Sequence, residues 1–138
     1  MQRTYHPDNT TPKGRDAVFV FGSNLAGRHG MGSAKVAHVN FAAKYGCGQG
    51  PTGRAYAIPT KDRHLNTLPL EDIHESVAAF IRYAQAKPKT QFFITRVGCG
   101  LAGYQDAQIA PMFAQASPNC SLPEPWREHL EPPAAGET

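Results

Sequence analysis

Two observations in the sequence predict a three-layer α/β/α sandwich built on a mixed, largely parallel sheet. A short apolar run of strand type passes directly into a glycine loop and then a helical segment, and this unit occurs twice, around FVFGSNLAGRHGMGSAK and around ITRVGCGLAGYQDAQIA. Between the two lies a long amphipathic segment of helical period. Alternating strands and helices of this length favour parallel pairing, and such sheets bind ligands at the carboxyl ends of their strands. Both glycine loops leave strand ends, so the pattern places them on one crevice.

Residues 1–15 carry no periodicity and hold Pro, Asn, Thr and Lys, so they read as an N-terminal tail ahead of a domain over residues 16–127. Ala17 to Phe21 is the first strand, and Gly32 to Tyr45 is a helix of small and apolar residues stopped by Gly46. Arg54 to Ile58 alternates weakly as a second strand, which Pro59 is expected to close because proline cannot donate to a ladder. A helix then starts near Pro69, with Glu71 and Asp72 in its first turn where carboxylates suit the positive end of the dipole. Leu70, Ile73, Val77, Phe80, Ile81 and Ala84 recur at three- and four-residue spacing on its apolar stripe, and Pro88 stops it after Lys87. Gln91 to Val97 is the next strand, Gly98 to Gly103 the second glycine loop, and Asp106 to Ala116 the last helix. Residues 117–138 contain five prolines and read as loop; 128–138 form a C-terminal tail, while Trp126 anchors the returning segment to the core through its large apolar area.

Composition removes several classes. A chain of 138 residues is long enough for one real core and short for two. No apolar run approaches the roughly 20 residues of a membrane span, and the polar start lacks a signal-peptide core, so a cytoplasmic protein without a membrane partner is expected. Cys47, Cys99 and Cys120 form neither a C-x-x-C pair nor a zinc spacing, so no metal site and no disulfide framework is expected, and reduced thiols fit the cytosol. A net charge of +3 is too small for a nucleic-acid coat. With Arg28, Lys35, Arg54, Lys61, Arg63 and Arg96 in or beside loops, an anionic small molecule is the better partner.

The glycine loops supply what a diphosphate needs: close main-chain approach, N–H donors and the positive ends of helix dipoles. Neither common nucleotide signature is present. RHGMGSAK gives Gly30-x-Gly32 without a third glycine, and no G-x-x-x-x-G-K-[ST] occurs. Cys99 with His29, His38 or His64 as base would make a cysteine hydrolase, but no local signature joins them, and His6, His74 and His129 fall on tails or a helix surface.

GSNLAGRHGMGSAKVA, IPTKDR followed by LPLEDIHESVAAFI, and ITRVGCGLAGYQDAQIAPMF match in order and spacing a macrodomain, which the chain resembles over roughly Ala17 to Ala116. More narrowly it resembles the branch of terminal ADP-ribose glycohydrolases and of antitoxins that remove ADP-ribose from DNA, a branch associated for short proteins with bacteria and their phages. The resemblance implies a ligand, ADP-ribose or an ADP-ribosylated substrate, and no cofactor. It implies that Asn24 holds the distal ribose, that Gly22, Gly30, Met31 and Gly32 line one side of the diphosphate, and that Gly98, Cys99, Gly100, Leu101, Ala102 and Gly103 line the other. Tyr104 would pack on a ribose or base, and Lys61, the lysine of P-T-K, would attack the anomeric carbon as an amine nucleophile.

Plainer readings stand beside these. Asn24 could be a turn residue bonding its own backbone, Tyr104 a core aromatic, Lys61 a solvated lysine and Asp106 a helix cap. The glycohydrolase branch often carries an acid where this chain has Ala102, and the nearest acids in sequence are Asp106 and Asp62. Lys61 therefore favours an ADP-ribosyl hydrolase, Ala102 favours a non-catalytic binder or sink for ADP-ribose or another NAD-derived nucleotide, and a partner-binding protein is the third alternative. Nucleic acid enters only as a modified substrate.

Overall fold

The computed structural model describes residues 3–14 and 16–131. Its elements are β1 (Thr4–His6), β2 (Val18–Asn24), α1 (Gly32–Asn40), β3 (Gly50–Thr52), β4 (Ala55–Lys61), α2 (Leu70–Gln85), β5 (Phe92–Ile94), α3 (Asp106–Ile109), β6 (Cys120–Pro123) and α4 (Arg127–Leu130). The six strands form one sheet in the order β1-β6-β5-β2-β4-β3, parallel throughout except for the antiparallel β3·β4 pair. That is the mixed, largely parallel α/β sandwich expected from the sequence.

Alternation along β2 divides the core. Phe19 and Phe21 point to one face, where they meet Ala34 and Ala37 of α1. Val20 points to the other, where Ile73, Val77, Phe80 and Ala84 of α2 pack with Phe92, Ile94, Phe113 and Trp126. The period of two in the strand and the stripe in the helix thus put one helical layer on each side of the sheet.

β3 and β6 are absent from the sequence reading, β6 falling in the expected loop of 117–138; β5 is shorter than the expected Gln91–Val97; and four further elements differ. Thr4–His6, expected in a tail, is an edge strand paired with Ser121, Leu122 and Pro123 of β6. Arg3 donates to the Leu130 carbonyl and the Tyr5 hydroxyl to Glu131, so the two expected tails are fastened together; residues 132–138 lie outside the described residues. β4 runs through Pro59 to Lys61, because β3 ends opposite Ala57 and leaves the neighbouring edge free where the proline lacks its N–H. α1 ends at Asn40, short of the expected Tyr45. The expected helix at 106–116 stops as α3 at Ile109 and continues as a 3-10 turn, Ala110–Phe113, since Pro111 withholds a donor and crowds the preceding turn.

Candidate functional site

β5, β2 and β4 are neighbours, and the carboxyl ends of these strands and the loops leaving them border one cavity of about 810 Å³. Gly22, Asn24, Gly30, Met31 and Gly32 border it from the first side, and Gly98, Cys99, Gly100, Leu101 and Ala102 from the second. Lys61 reaches it from the end of β4, where it is the register partner of Asn24. Gly103 and Tyr104 do not border it. The Tyr104 hydroxyl instead donates to the Leu68 carbonyl at 2.6 Å and its ring packs on the α2 side of the core, the plainer of its two readings.

The first loop is seated by neutral groups. The Asn24 amide donates to the Arg28 carbonyl at 2.9 Å and its oxygen accepts from the Arg28 N–H at 3.0 Å, so the side chain clamps its own turn. His29, 3% exposed, makes one bond to the Lys44 carbonyl and leaves Nδ1 without a partner. Gly27 and Gly48 let backbones touch: a Cβ on Gly27 would sit 2.2 Å from Gly46 and one on Gly48 2.1 Å from the Asn24 oxygen. The loop then enters α1, whose first residues Gly32, Ser33 and Ala34 border the cavity with no side-chain cap and no acid in the first turn. Its unpaired N–H groups and dipole make that end attractive to an anion. α3, by contrast, has four residues and a reciprocal Gln105–Gln108 capping box, so the second loop does not supply the second helix dipole expected from the sequence.

The second loop is seated by charge. Arg96 donates to both Asp106 oxygens, from Nε at 3.0 Å and Nη2 at 2.7 Å, and from Nη1 to Asp8 at 2.9 Å. The Trp126 indole donates to Asp106 at 2.8 Å. Burial works to raise the Asp106 pKa, but the bonds from Arg96, Trp126 and Cys99 outweigh it and hold the carboxyl below its ordinary value. Asp106 is therefore neither a helix cap, a place held by Gln105, nor a free acid. Asp62 faces solvent, accepts from the His64 and Asn66 N–H groups, and is held low chiefly by the Asn66 bond. Burial, followed by the hydrogen bond to Asp106, pushes the Cys99 thiol up to about 12, which makes it a slow nucleophile near neutral pH and argues against a cysteine hydrolase.

The sequence reading missed the far wall of the cavity. His6, Asp8, Asn9 and Thr10 line it, with Phe19 and Phe93 as apolar floor. His6, expected to be idle, stacks on Phe93 at 3.7 Å and bonds Ser121 and the Ile94 carbonyl; burial lowers its pKa. The hint available was a histidine beside a proline–aspartate pair, which no local rule assigns to a site. Among the described residues no cluster of metal-ligating side chains exists, and no helix is long and apolar enough to cross a membrane.

Sheet order and layers are those of a macrodomain-like α/β sandwich. Solved structures of other proteins share it. One is the macrodomain of Mycobacterium tuberculosis DarG, 17% identical, with a TM-score of 0.58 over 88% of this chain and 95% of that one. Another is a protein of unknown function from Bacteroides thetaiotaomicron, 14% identical, with a TM-score of 0.60 over 89% of this chain and 98% of that one. No protein-family model and no curated protein matches the sequence.

Proposed function

We propose that the cavity binds ADP-ribose or a related NAD-derived nucleotide, with the diphosphate between the two glycine loops and the terminal ribose beside Asn24 and Lys61. One observation carries this reading. Among the described glycines, Gly30 and Gly100 alone have neither a positive φ nor any atom within 4 Å of where a Cβ would stand. The fold needs glycine at neither position, and both border the cavity from opposite loops. Their missing side chains leave room for a ligand against the main chain. The uncapped start of α1 supplies donors there, and Arg28 and Lys61 supply cations that pair with no acid among the described residues.

Lys61 further supports cleavage of an ADP-ribosyl linkage. Its neutral amine would bond to the anomeric carbon as the glycosidic bond breaks, the departing group keeping that electron pair and receiving, relayed by water, the proton that the nitrogen sheds. A water would then add to the anomeric carbon as the N–C bond breaks, releasing the sugar with a new hydroxyl and returning its other proton to the amine. The engaged states of Asp106 and Asp62 favour the alternative, a non-catalytic binder, because neither is free to assist the departing group. The thiols, all unpaired, suit a cytosolic setting, with nucleic acid entering only as a modified substrate.

Calorimetry with ADP-ribose, NAD and AMP tests binding; no heat of binding with any of them would end the proposal. For cleavage, Lys61→Ala is expected to abolish ADP-ribose release from a modified substrate while changing ADP-ribose affinity only a few-fold. Undiminished release by that variant would remove Lys61 as nucleophile, and no release by the unaltered protein would leave binding alone.

A further inference from the structure

We infer that Arg96 is a positioning residue that turns the segment after β1 into a wall of the nucleotide cavity, a role that rests on the binding reading above. The segment of residues 7–14 leaves the edge of the sheet and holds little apolar surface of its own. Asp8 to Arg96 is the single hydrogen-bonded tie from it to the rest of the protein among the described residues, the other side-chain bond being local, from Thr10 to the Pro7 carbonyl. Yet Pro7, Asp8, Asn9, Thr10 and Thr11 all border the cavity.

Arg96 is suited to the task because its own direction is fixed. The bidentate grip on Asp106 sets the plane of the guanidinium, and Trp126, fully buried, holds Asp106 from behind. The side chains of Arg96, Asp8 and Asp106 are 32%, 27% and 21% exposed, so solvent screens the network only in part. Cys99 of the second glycine loop is tied to Arg96 itself, its backbone N–H donating to the Arg96 carbonyl at 3.1 Å. One cation thus fixes the segment after β1 relative to the loop expected to hold diphosphate. It is not itself a free phosphate ligand, because two carboxylates already face it.

The strand order says which part of a ligand this wall meets. β1 and β4 are separated by β6, β5 and β2, about 19 Å at roughly 4.8 Å per strand. With the terminal ribose beside Lys61, the wall meets the opposite, adenosine end.

The test uses Asp8→Ala and Asp8→Glu in the full chain, with two readouts. In calorimetry, Asp8→Ala is expected to weaken ADP-ribose binding about tenfold and to leave ribose 5-phosphate, which lacks the adenosine, unchanged, while Asp8→Glu restores most of the loss. Independently of any ligand, iodoacetamide should modify Cys99 several-fold faster in Asp8→Ala, read by mass spectrometry of the Cys99 peptide. An equal loss for both ligands would mean general damage and would overturn the inference. So would an unchanged Cys99 rate. If the unaltered protein binds no ADP-ribose, the binding proposal fails and the Cys99 rate alone decides the positioning role.

Discussion

The two glycine loops border the same cavity but are seated differently. Residues 25–31 hang on uncharged contacts: the Asn24 amide on the Arg28 backbone, the buried His29 ring, and the close backbone approach that Gly27 and Gly48 permit. Residues 98–104 are flanked by the Arg96–Asp106 pair with the Trp126 indole behind it, and neutral bonds from the Tyr104 hydroxyl to the Leu68 carbonyl and from the Thr67 hydroxyl to the Ala102 carbonyl add to that charged support. A loop held by steric fit and neutral hydrogen bonds responds to added atoms and ignores salt. A loop held by ion pairs responds to pH and ionic strength, because both act on charge.

Breaking that comparison at the first loop gives the largest effect. Gly48→Ala places a methyl 2.1 Å from the Asn24 oxygen, a backbone atom that cannot yield cheaply, and should destabilise the fold by on the order of 3 kcal/mol in denaturant unfolding. At the second loop, Asp106→Ala leaves the Arg96 charge and the buried indole N–H short of a partner, for a loss of about 2–3 kcal/mol. Asn24→Ala removes two neutral bonds and should cost about 1–2 kcal/mol. Raising the salt concentration should shrink the Asp106→Ala loss and leave the Asn24→Ala loss alone.

The smallest effects are the pH dependences, which fall in separate windows. Asp106 sits below its ordinary value of 3.8 in the folded state, so its contribution is full above that pH and is lost as pH falls through the folded value. His6 is also lowered, from 6.5, chiefly by burial. Below about 6.5 the unfolded chain therefore binds a proton that the folded chain resists, and stability declines as pH falls from there. His6→Phe should flatten the unfolding profile just below about pH 6.5, and Asp106→Asn should flatten it only below about 4. A slope just below pH 6.5 that survives His6→Phe would mean that another group carries it.

Much of this contrast is legible in the sequence, and unevenly. The first loop can be read locally, because Asn24 and the backbone it clamps are four residues apart, a turn pattern that stands beside the ligand role at the same residue. The long helix is legible for a similar reason: Pro69, Glu71, Asp72 and the apolar stripe all lie within one segment. The second loop's support is not, since Arg96 and Asp8 are 88 positions apart. β1, β3 and β6 escape a sequence reading because TYH, GPT and CSLP lack the continuous apolar run that marks the equally short β5, and they exist by pairing alone. β1 also reverses one expectation. Deleting residues 1–12, harmless on the sequence alone, should lower the melting temperature, because it removes an edge strand and the Arg3 and Tyr5 contacts to residues 130 and 131.

What both loops share is a glycine that borders the cavity with open space where a Cβ would stand, Gly30 and Gly100, and the central claim rests there. The most direct measurement is calorimetric titration of ADP-ribose into the unaltered protein and into Gly100→Val. The space around Gly100 is empty and its φ is not positive, so the variant should fold with an unchanged melting temperature while its isopropyl group stands where the ligand must lie. The expected result is a loss of affinity of at least about tenfold, roughly 1.4 kcal/mol, with no loss of stability. Equal affinity in the two proteins, both folded, would contradict it.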